Sequence, residues 1–202
     1  MYLFFFFFLV PQLAMTMQRG EQHSDLVNDM QTAAISWVAK QAEELSTHAE
    51  KPLLARFHKL GYSEKHFKET VRYIRKDAPL IIHVNLTNCI KFFVADTHYR
   101  NQFETKTSCG TLSSSARTQW EDGLFNRIYH RATGYERVKY GVLNIVQDPN
   151  GVLACRGYGD SYLLLKSDTV RLRTSFASRD TGGGTAKLAS CEWYCHVNSC
   201  KS

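Results

Sequence analysis

The residues of this chain that could carry out chemistry lie in an apolar run and in a polar segment that follows it. His83 falls inside the apolar run 79–87, where an imidazole is either a catalyst or a core residue satisfied by one or two hydrogen bonds. Arg100 and Glu104 lie in the polar segment. These two side chains either pair with each other or hold the hydroxyl and phosphate groups of a substrate.

A second set of polar candidates lies later in the chain, within residues 139–180. Asp160 and Ser161 begin one strand-like run, and Arg173 and Thr174 lie in another. The simpler interpretation is the solvated outer face of a sheet, because polar side chains are mostly exposed. The alternative is that these four side chains line a site.

Three runs in the same part of the chain have the composition of β-strands. The pair Asn150 and Gly151 predicts a hairpin between the runs 140–146 and 158–165. The third run, 170–176, alternates apolar and polar residues, which predicts a half-buried strand with exposed arginines.

Helical periodicity precedes these strands. It predicts one helix after residue 24 or 25, a second that begins at Lys51 and Pro52, and a third that Ser63 caps. A strand over 79–87 and a helix over 120–130 follow. Short strands after a block of helices predict an α+β fold, with N-terminal helices packed on a mostly antiparallel sheet.

Composition restricts the partners. A chain of 202 residues can bury a sizeable core without disulfides or metal. Its net charge of +6 suits an anionic partner such as a nucleotide. The basic residues are spread along the chain, which argues against a dedicated nucleic-acid-binding protein. The sequence has neither a dinucleotide glycine fingerprint nor a phosphate loop.

The first residues, 1–17, are strongly apolar and contain five consecutive phenylalanines. They are either a signal peptide or an artefact of the gene model, in which the end of an intron is translated. A signal peptide has basic residues before its apolar run, and this segment has none, which favours the artefact. Without a signal peptide, a cytoplasmic location is expected. A genuine signal peptide would make the protein secreted. The apolar run is too short to cross a bilayer as a helix.

The six cysteines permit two interpretations, reduced thiols or a secreted, disulfide-linked protein. The last three crowd the tail together with His196, but their spacing fits no common zinc motif, so no metal is expected. The cysteines are Cys89, Cys109, Cys155, Cys191, Cys195 and Cys200.

These features divide the chain into four parts. Residues 1–17 are the apolar leader and 18–78 a helical segment. Residues 79–181 form the α+β core, and 182–202 are a tail rich in glycine and cysteine.

Several segments, taken in order, resemble domain of unknown function 3626, a mostly bacterial family with scattered animal members. The resemblance covers residues 65–181 and indicates a truncated animal member. The family's first strand carries His-Phe-His-Pro-Asp-Arg, of which only His83 is kept here, and its later Glu-x-Gln strand has no counterpart after Asp180. The matching segments are 67–75 with 81–84, 99–105, 120–125, 139–144, 158–162 and 173–176.

The layout of that family is similar to that of ADP-ribosyltransferases, which implies a related sheet, incomplete in this chain, and NAD as substrate. Cleavage of NAD builds an oxocarbenium-like ribose that a carboxylate stabilises. The resemblance implies that His83 holds the adenosine ribose. The only late glutamate is Glu192, and the residues around it do not match the family's glutamate segment. With Ser161 and Arg173 added from the strand-like runs, the predicted site consists of catalytic Glu104 and His83 and substrate-binding Tyr99, Arg100, Ser161, Arg173, Thr174 and Ser175.

Loss of the glutamate strand would leave an inactive member. The sequence therefore leaves three alternatives: an enzyme that uses NAD, a non-catalytic nucleotide- or protein-binding domain, and a secreted disulfide-linked protein. It leaves the acceptor substrate and the oligomeric state open.

Overall fold

The computed structural model describes the backbone of residues 7–10 and residues 29–96, 98–106, 113–166, 170–177, 181–190 and 192–193. The helices of this part of the chain are α1 (Asp29–Lys59), α2 (Glu64–Lys76), α3 (Leu86–Ala95), α4 (Gln102–Thr105) and α5 (Ser114–Leu124). Its strands are β1 (Phe7–Val10), β2 (Leu80–Val84), β3 (Lys139–Leu143), β4 (Ser161–Leu164), β5 (Ser175–Ala177) and β6 (Ala189–Ser190).

The strands form an open sheet in the order β4-β2-β3-β1-β5-β6, and all neighbouring pairs are antiparallel. β1 joins the three-stranded part, β4-β2-β3, to the two-stranded part, β5-β6. The predicted α+β fold with N-terminal helices and an antiparallel sheet is therefore confirmed. β1 lies within the predicted apolar leader, whose nature stays a prediction.

Helix α1 is continuous, so the predicted break at Lys51 and Pro52 is wrong. Pro52 lies inside the helix, where it removes one main-chain hydrogen bond. Ala49 and Leu53 are buried on either side of it. Because apolar packing continues through this turn, the helix tolerates the proline.

Helix α2 begins as its sequence predicts. Ser63 caps it, since its hydroxyl accepts from the His66 amide at 3.3 Å and its amide donates to the His66 ring at 3.1 Å. Phe67 and Ile74 are buried along one face of the helix.

The predicted hairpin is wrong, because β2 lies between β3 and β4. Ile81 is opposite Val142 on one side and Leu164 on the other. All five residues of β2 are buried, so this strand takes the central place between the two runs. The turn at Asn150 and Gly151 leads instead into a 3-10 helix, Leu153–Tyr158.

The predicted strand 170–176 is largely a second 3-10 helix, and β5 begins only at Ser175. Val170, Thr174 and Phe176 are buried as the alternation predicts, but Arg171 is buried as well and Leu172 is 72% exposed. The Arg171 guanidinium donates to the main-chain carbonyls of Ile74 and Ala78, at the end of α2. Cationic side chains commonly satisfy carbonyls at that end of a helix.

Two further boundaries differ from prediction. The expected strand 79–87 ends at Val84, because Asn85 caps α3 and accepts from the Asn88 amide at 3.1 Å. The expected helix 120–130 is α5, which begins at Ser114 and ends at Leu124.

Two apolar clusters form most of the core and hold the helices on the sheet. One joins α2 to the sheet through Ile74, Leu80 and Phe176. The other joins α1 and α5 to it through Val38, Leu124 and neighbouring residues. Burial of each such side chain contributes about 1.5–3 kcal/mol.

Within the described residues, none of the helices has the length and apolar character needed to cross a bilayer. Over the same residues, no cluster of three or more histidine, cysteine, aspartate or glutamate side chains could hold a metal. Cys89 and Cys155 are free thiols. Cys109 and the tail residues Cys191, Cys195, His196 and Cys200 lie outside the described residues.

Candidate functional site

A cavity of about 760 Å³ lies against β2, β3 and α3, and the segment around α4 closes one side of it. Half of the predicted site residues line this cavity. They come from two places that are distant in sequence, β2 and the segment 98–105. These residues are His83, Tyr99, Arg100 and Glu104.

The other four predicted residues lie outside the cavity lining. Ser161 opens β4, and its hydroxyl donates to Asp160 at 3.2 Å. Thr174 is buried and donates to the Val170 carbonyl at 2.9 Å. Ser175 is buried in β5, and Arg173 lies in the 3-10 helix before it. The structure therefore brings together the early part of the predicted site and not the late part.

Both carboxylate oxygens of Glu104 have hydrogen-bond partners. One carboxylate oxygen accepts from Lys139 Nζ at 2.9 Å and from the Asn101 amide at 2.9 Å. The other lies 2.8 Å from Nε2 of His98. The Glu104 side chain is 11% exposed, and the Lys139 side chain is completely buried.

Asn101 positions Glu104 for these contacts. Its side-chain oxygen accepts from the amides of Phe103 and Glu104, which starts the single turn of α4. Its side-chain nitrogen donates to the carbonyls of Gly134 at 2.7 Å and Arg137 at 3.2 Å. One asparagine thus caps the helix and ties it to the chain that leads into β3.

The partners of Glu104 decide its ionisation. Burial raises the pKa of Glu104. The hydrogen bonds from the Asn101 amide, His98 and Lys139, with the charge of Lys139, together lower it by more than burial raises it, so the net pKa lies below the ordinary value. Burial lowers the pKa of Lys139, and Glu104 opposes that shift. Glu104 is therefore a carboxylate at neutral pH, held beside a lysine that is harder to protonate than usual.

Arg100 pairs with Asp96 at 2.7 Å rather than with Glu104. Both members of the pair line the cavity, and the Arg100 side chain is 47% exposed. The pairing of Arg100 with Glu104 that the sequence left open is therefore absent, and each of the two has its own partner.

His83 is held by the main chain at both ring nitrogens. Its Nδ1 lies 3.0 Å from the Gly159 carbonyl, and its Nε2 accepts from the Val152 amide at 2.9 Å. These partners require a neutral ring with the proton on Nδ1. Gly151, at φ 77°, allows the approach, because a Cβ there would lie 2.6 Å from the His83 ring.

Sequence reasoning missed three charged residues that line the cavity, Asp96, Arg117 and Lys139. Arg117, Glu121 and Leu124 are spaced along one face of α5, and all three are buried. Arg117 and Glu121 are spaced four residues apart, on the same helix face as the apolar Leu124, and this spacing was the available sequence signal that Arg117 is buried. Lys139 opens β3, and nothing in its local sequence indicates burial.

Glu121 connects α5 to β3 beneath the cavity. It accepts from Arg137 at 2.7 Å and from the Tyr140 hydroxyl at 2.9 Å. Burial raises the pKa of Glu121, and Arg137 opposes that shift. The guanidinium of Arg117 lies 4.1 Å from the centre of the Tyr140 ring.

The family model described as "Protein of unknown function (DUF3626)" matches residues 81–192, which is more than half of the chain. The chain belongs to this family. The match begins later than the predicted 65–181 and extends further, and it contains all eight predicted site residues. No curated protein and no solved structure matches this chain.

Proposed function

We propose that this member of domain of unknown function 3626 binds an NAD-type nucleotide in the cavity and is ADP-ribosyltransferase-like. The observation that carries the proposal is the convergence of His83, Tyr99, Arg100 and Glu104 on one cavity. Its volume of about 760 Å³ lies in the range of small-molecule and cofactor sites.

The cavity wall suits a ligand with a planar ring. Tyr99 stacks on Phe93 with ring centres 6.1 Å apart and planes 23° apart, and Phe92 lines the same side. Aromatic side chains stabilise planar ligands by stacking while burying apolar area. A nicotinamide or an adenine meets that description.

In the catalytic form of the proposal, Glu104 faces the ribose of the nicotinamide half. The bond between the ribose carbon and the nicotinamide nitrogen breaks, and its electron pair leaves with nicotinamide. The ionised Glu104 stabilises the positive charge that develops on the ribose. Water or an acceptor nucleophile then bonds to the ribose carbon and loses a proton to solvent.

A second candidate is nucleotide binding without turnover, and one observation favours it. Both oxygens of Glu104 and both ring nitrogens of His83 already have hydrogen-bond partners. A carboxylate oxygen accepts more than one hydrogen bond, so Glu104 retains capacity for a ligand. The His83 ring has no such reserve and would serve as part of the wall.

Titration calorimetry with NAD and an assay for released nicotinamide test the proposal on the full chain. The variant is Glu104→Gln, and the control is Glu69→Gln, the same change at an exposed residue of α2. We expect NAD binding by the wild type and the control, with nicotinamide release lost in Glu104→Gln. Binding without release selects the non-catalytic candidate, and absence of NAD binding contradicts both.

We also propose a cytoplasmic location. Cys89 and Cys155 are free thiols, the state that a reducing compartment maintains. Thiol titration of the native protein tests this, and disulfides among the other four cysteines would support the secreted alternative instead.

A further inference from the structure

Arg117 is a buried cation at the cavity, and the carboxylate that acts on it electrostatically, Glu121, lies outside the cavity lining. Arg117 is 8% exposed, and it lines the cavity. Its Nε has no hydrogen-bond partner within the described residues. Over the same residues, none of the ion pairs within 4.0 Å includes Arg117.

The other charged groups of the cavity are already neutralised. Lys139 pairs with Glu104 at 2.9 Å, and Arg100 pairs with Asp96 at 2.7 Å. Both pairs line the cavity. Glu121, which does not line it, pairs with Arg137 and also acts electrostatically on Arg117, so one carboxylate faces two guanidinium groups and at least one positive charge remains in excess. A cavity with one excess buried positive charge favours an anionic occupant.

The protein holds Arg117 in place through aromatic contacts rather than through an ion pair of its own. The Tyr140 ring lies 4.1 Å from the guanidinium carbon, and the Trp120 ring lies 5.6 Å from it. Contact with aromatic faces stabilises the cation, and its Nε–H group stays without a hydrogen-bond partner within the described residues. The Tyr140 hydroxyl donates to Glu121, which itself pairs with Arg137, so Glu121 orients the ring.

We propose that Arg117 binds the anionic group of the ligand in this cavity, and that for an NAD-type nucleotide this group is the diphosphate. A guanidinium presents parallel N–H donors that match two phosphate oxygens. The identity of the ligand rests on the proposed function, whereas the anion site rests on Arg117 alone.

The test compares three probes that separate charge from base and sugar: adenosine, ADP and inorganic pyrophosphate. Affinities are measured by calorimetry for the full-length wild type, Arg117→Gln, Arg117→Lys and Arg131→Gln. Arg131 is exposed and lies outside the cavity lining, so its variant matches the loss of charge. Circular dichroism and thermal unfolding establish that each variant folds.

We expect Arg117→Gln to weaken the binding of ADP and pyrophosphate by about 10- to 100-fold, the range for hydrogen bonds to charged groups. The affinity for adenosine should stay unchanged. Arg117→Lys retains the charge without the paired donors, so we expect a smaller loss, and Arg131→Gln should match the wild type. If Arg117→Gln does not fold, Arg117→Lys decides, because a fully retained pyrophosphate affinity would overturn the proposal.

The outcomes distinguish this inference from the proposed function. Equal ADP affinity in the wild type and the folded Arg117 variants overturns the anion site and leaves nucleotide binding intact. Pyrophosphate binding that depends on Arg117, without binding of NAD or ADP, retains the anion site and contradicts the proposed function. A wild type that binds none of the probes overturns the inference.

Discussion

Two carboxylates, the partly buried Glu104 and the fully buried Glu121, have similar partners but pKa shifts of opposite sign. Each pairs with a cation from the start of β3 or just before it, Lys139 for Glu104 and Arg137 for Glu121. Glu104 lines the cavity, whereas Glu121 is completely buried and does not. The net pKa of Glu104 lies below the ordinary value and that of Glu121 above it.

This difference separates a residue suited to a ligand from one that holds the fold together. Glu104 has several donors that favour its charged form at the edge of an open volume. Glu121 lies where desolvation dominates, and its hydrogen bonds fix α5 against β3. Among the charged residues of the segment that matches the family, only those that line the cavity are therefore candidates for chemistry.

The largest expected effect is on stability, from Glu121→Gln. This change leaves the positive charge of Arg137, which is 5% exposed, without a counter-charge. Arginine cannot release its proton, so we expect a loss of about 3–5 kcal/mol in the free energy of unfolding, measured with urea. A loss below about 1 kcal/mol would contradict a structural role for Glu121.

We expect a smaller loss in the free energy of unfolding from Glu104→Gln than from Glu121→Gln, about 1–3 kcal/mol. The amide oxygen still accepts a hydrogen bond, and Lys139, whose pKa burial already lowers, can release its proton. Urea unfolding of both glutamine variants under the same conditions checks the order. A larger loss for Glu104→Gln than for Glu121→Gln would reverse the comparison.

The two carboxylates should also differ in the sign of their pH dependence. The folded pKa of Glu104 is lowered from 4.5, so its stabilising contribution is present above that pH and is lost as pH falls through the folded pKa. The folded pKa of Glu121 is raised from 4.5, so its contribution decreases as pH rises from there through the folded pKa.

Unfolding free energies of the wild type and the two glutamine variants between pH 3 and pH 7, a range of about four units around the carboxylate pKa values, test these signs. The difference between wild type and Glu104→Gln should grow with pH, and the difference for Glu121→Gln should shrink. The same slope for both would show that their environments are alike.

The smallest expected effect is that of Arg100→Gln. Arg100 is 47% exposed in its pair with Asp96, so its loss should cost about 0–1 kcal/mol. Thermal unfolding measures this change. A loss comparable to that of Glu121→Gln would show that the Arg100 pair also holds the fold.

The sequence predicted features that depend on nearby residues. The Ser63 cap is confirmed because its partner, His66, is three residues away. The hairpin prediction failed because β2, far away in sequence, takes the place between β3 and β4. Arg171 was expected to be exposed, but its partners at the end of α2 lie more than 90 residues earlier.

The candidate site shows the same limit. The family resemblance selected four residues that the structure places at one cavity. The spacing of these residues in the sequence did not indicate how their side chains pack there. The pairing of Glu104 with Lys139 spans 35 residues, and no local pattern indicates it. Ser161, Arg173, Thr174 and Ser175 have strand-like sequence surroundings similar to those of His83, but the structure places none of them at the cavity, and Arg173 lies in a 3-10 helix.

The most direct test of the account is hydrogen–deuterium exchange of the full chain with and without NAD. We expect slower exchange in the segments that carry Glu104 and Arg117, 98–106 and 113–124, and unchanged exchange in 171–177. Protection confined to 171–177, or none in any segment at saturating NAD, would contradict the claim that this cavity is the nucleotide site.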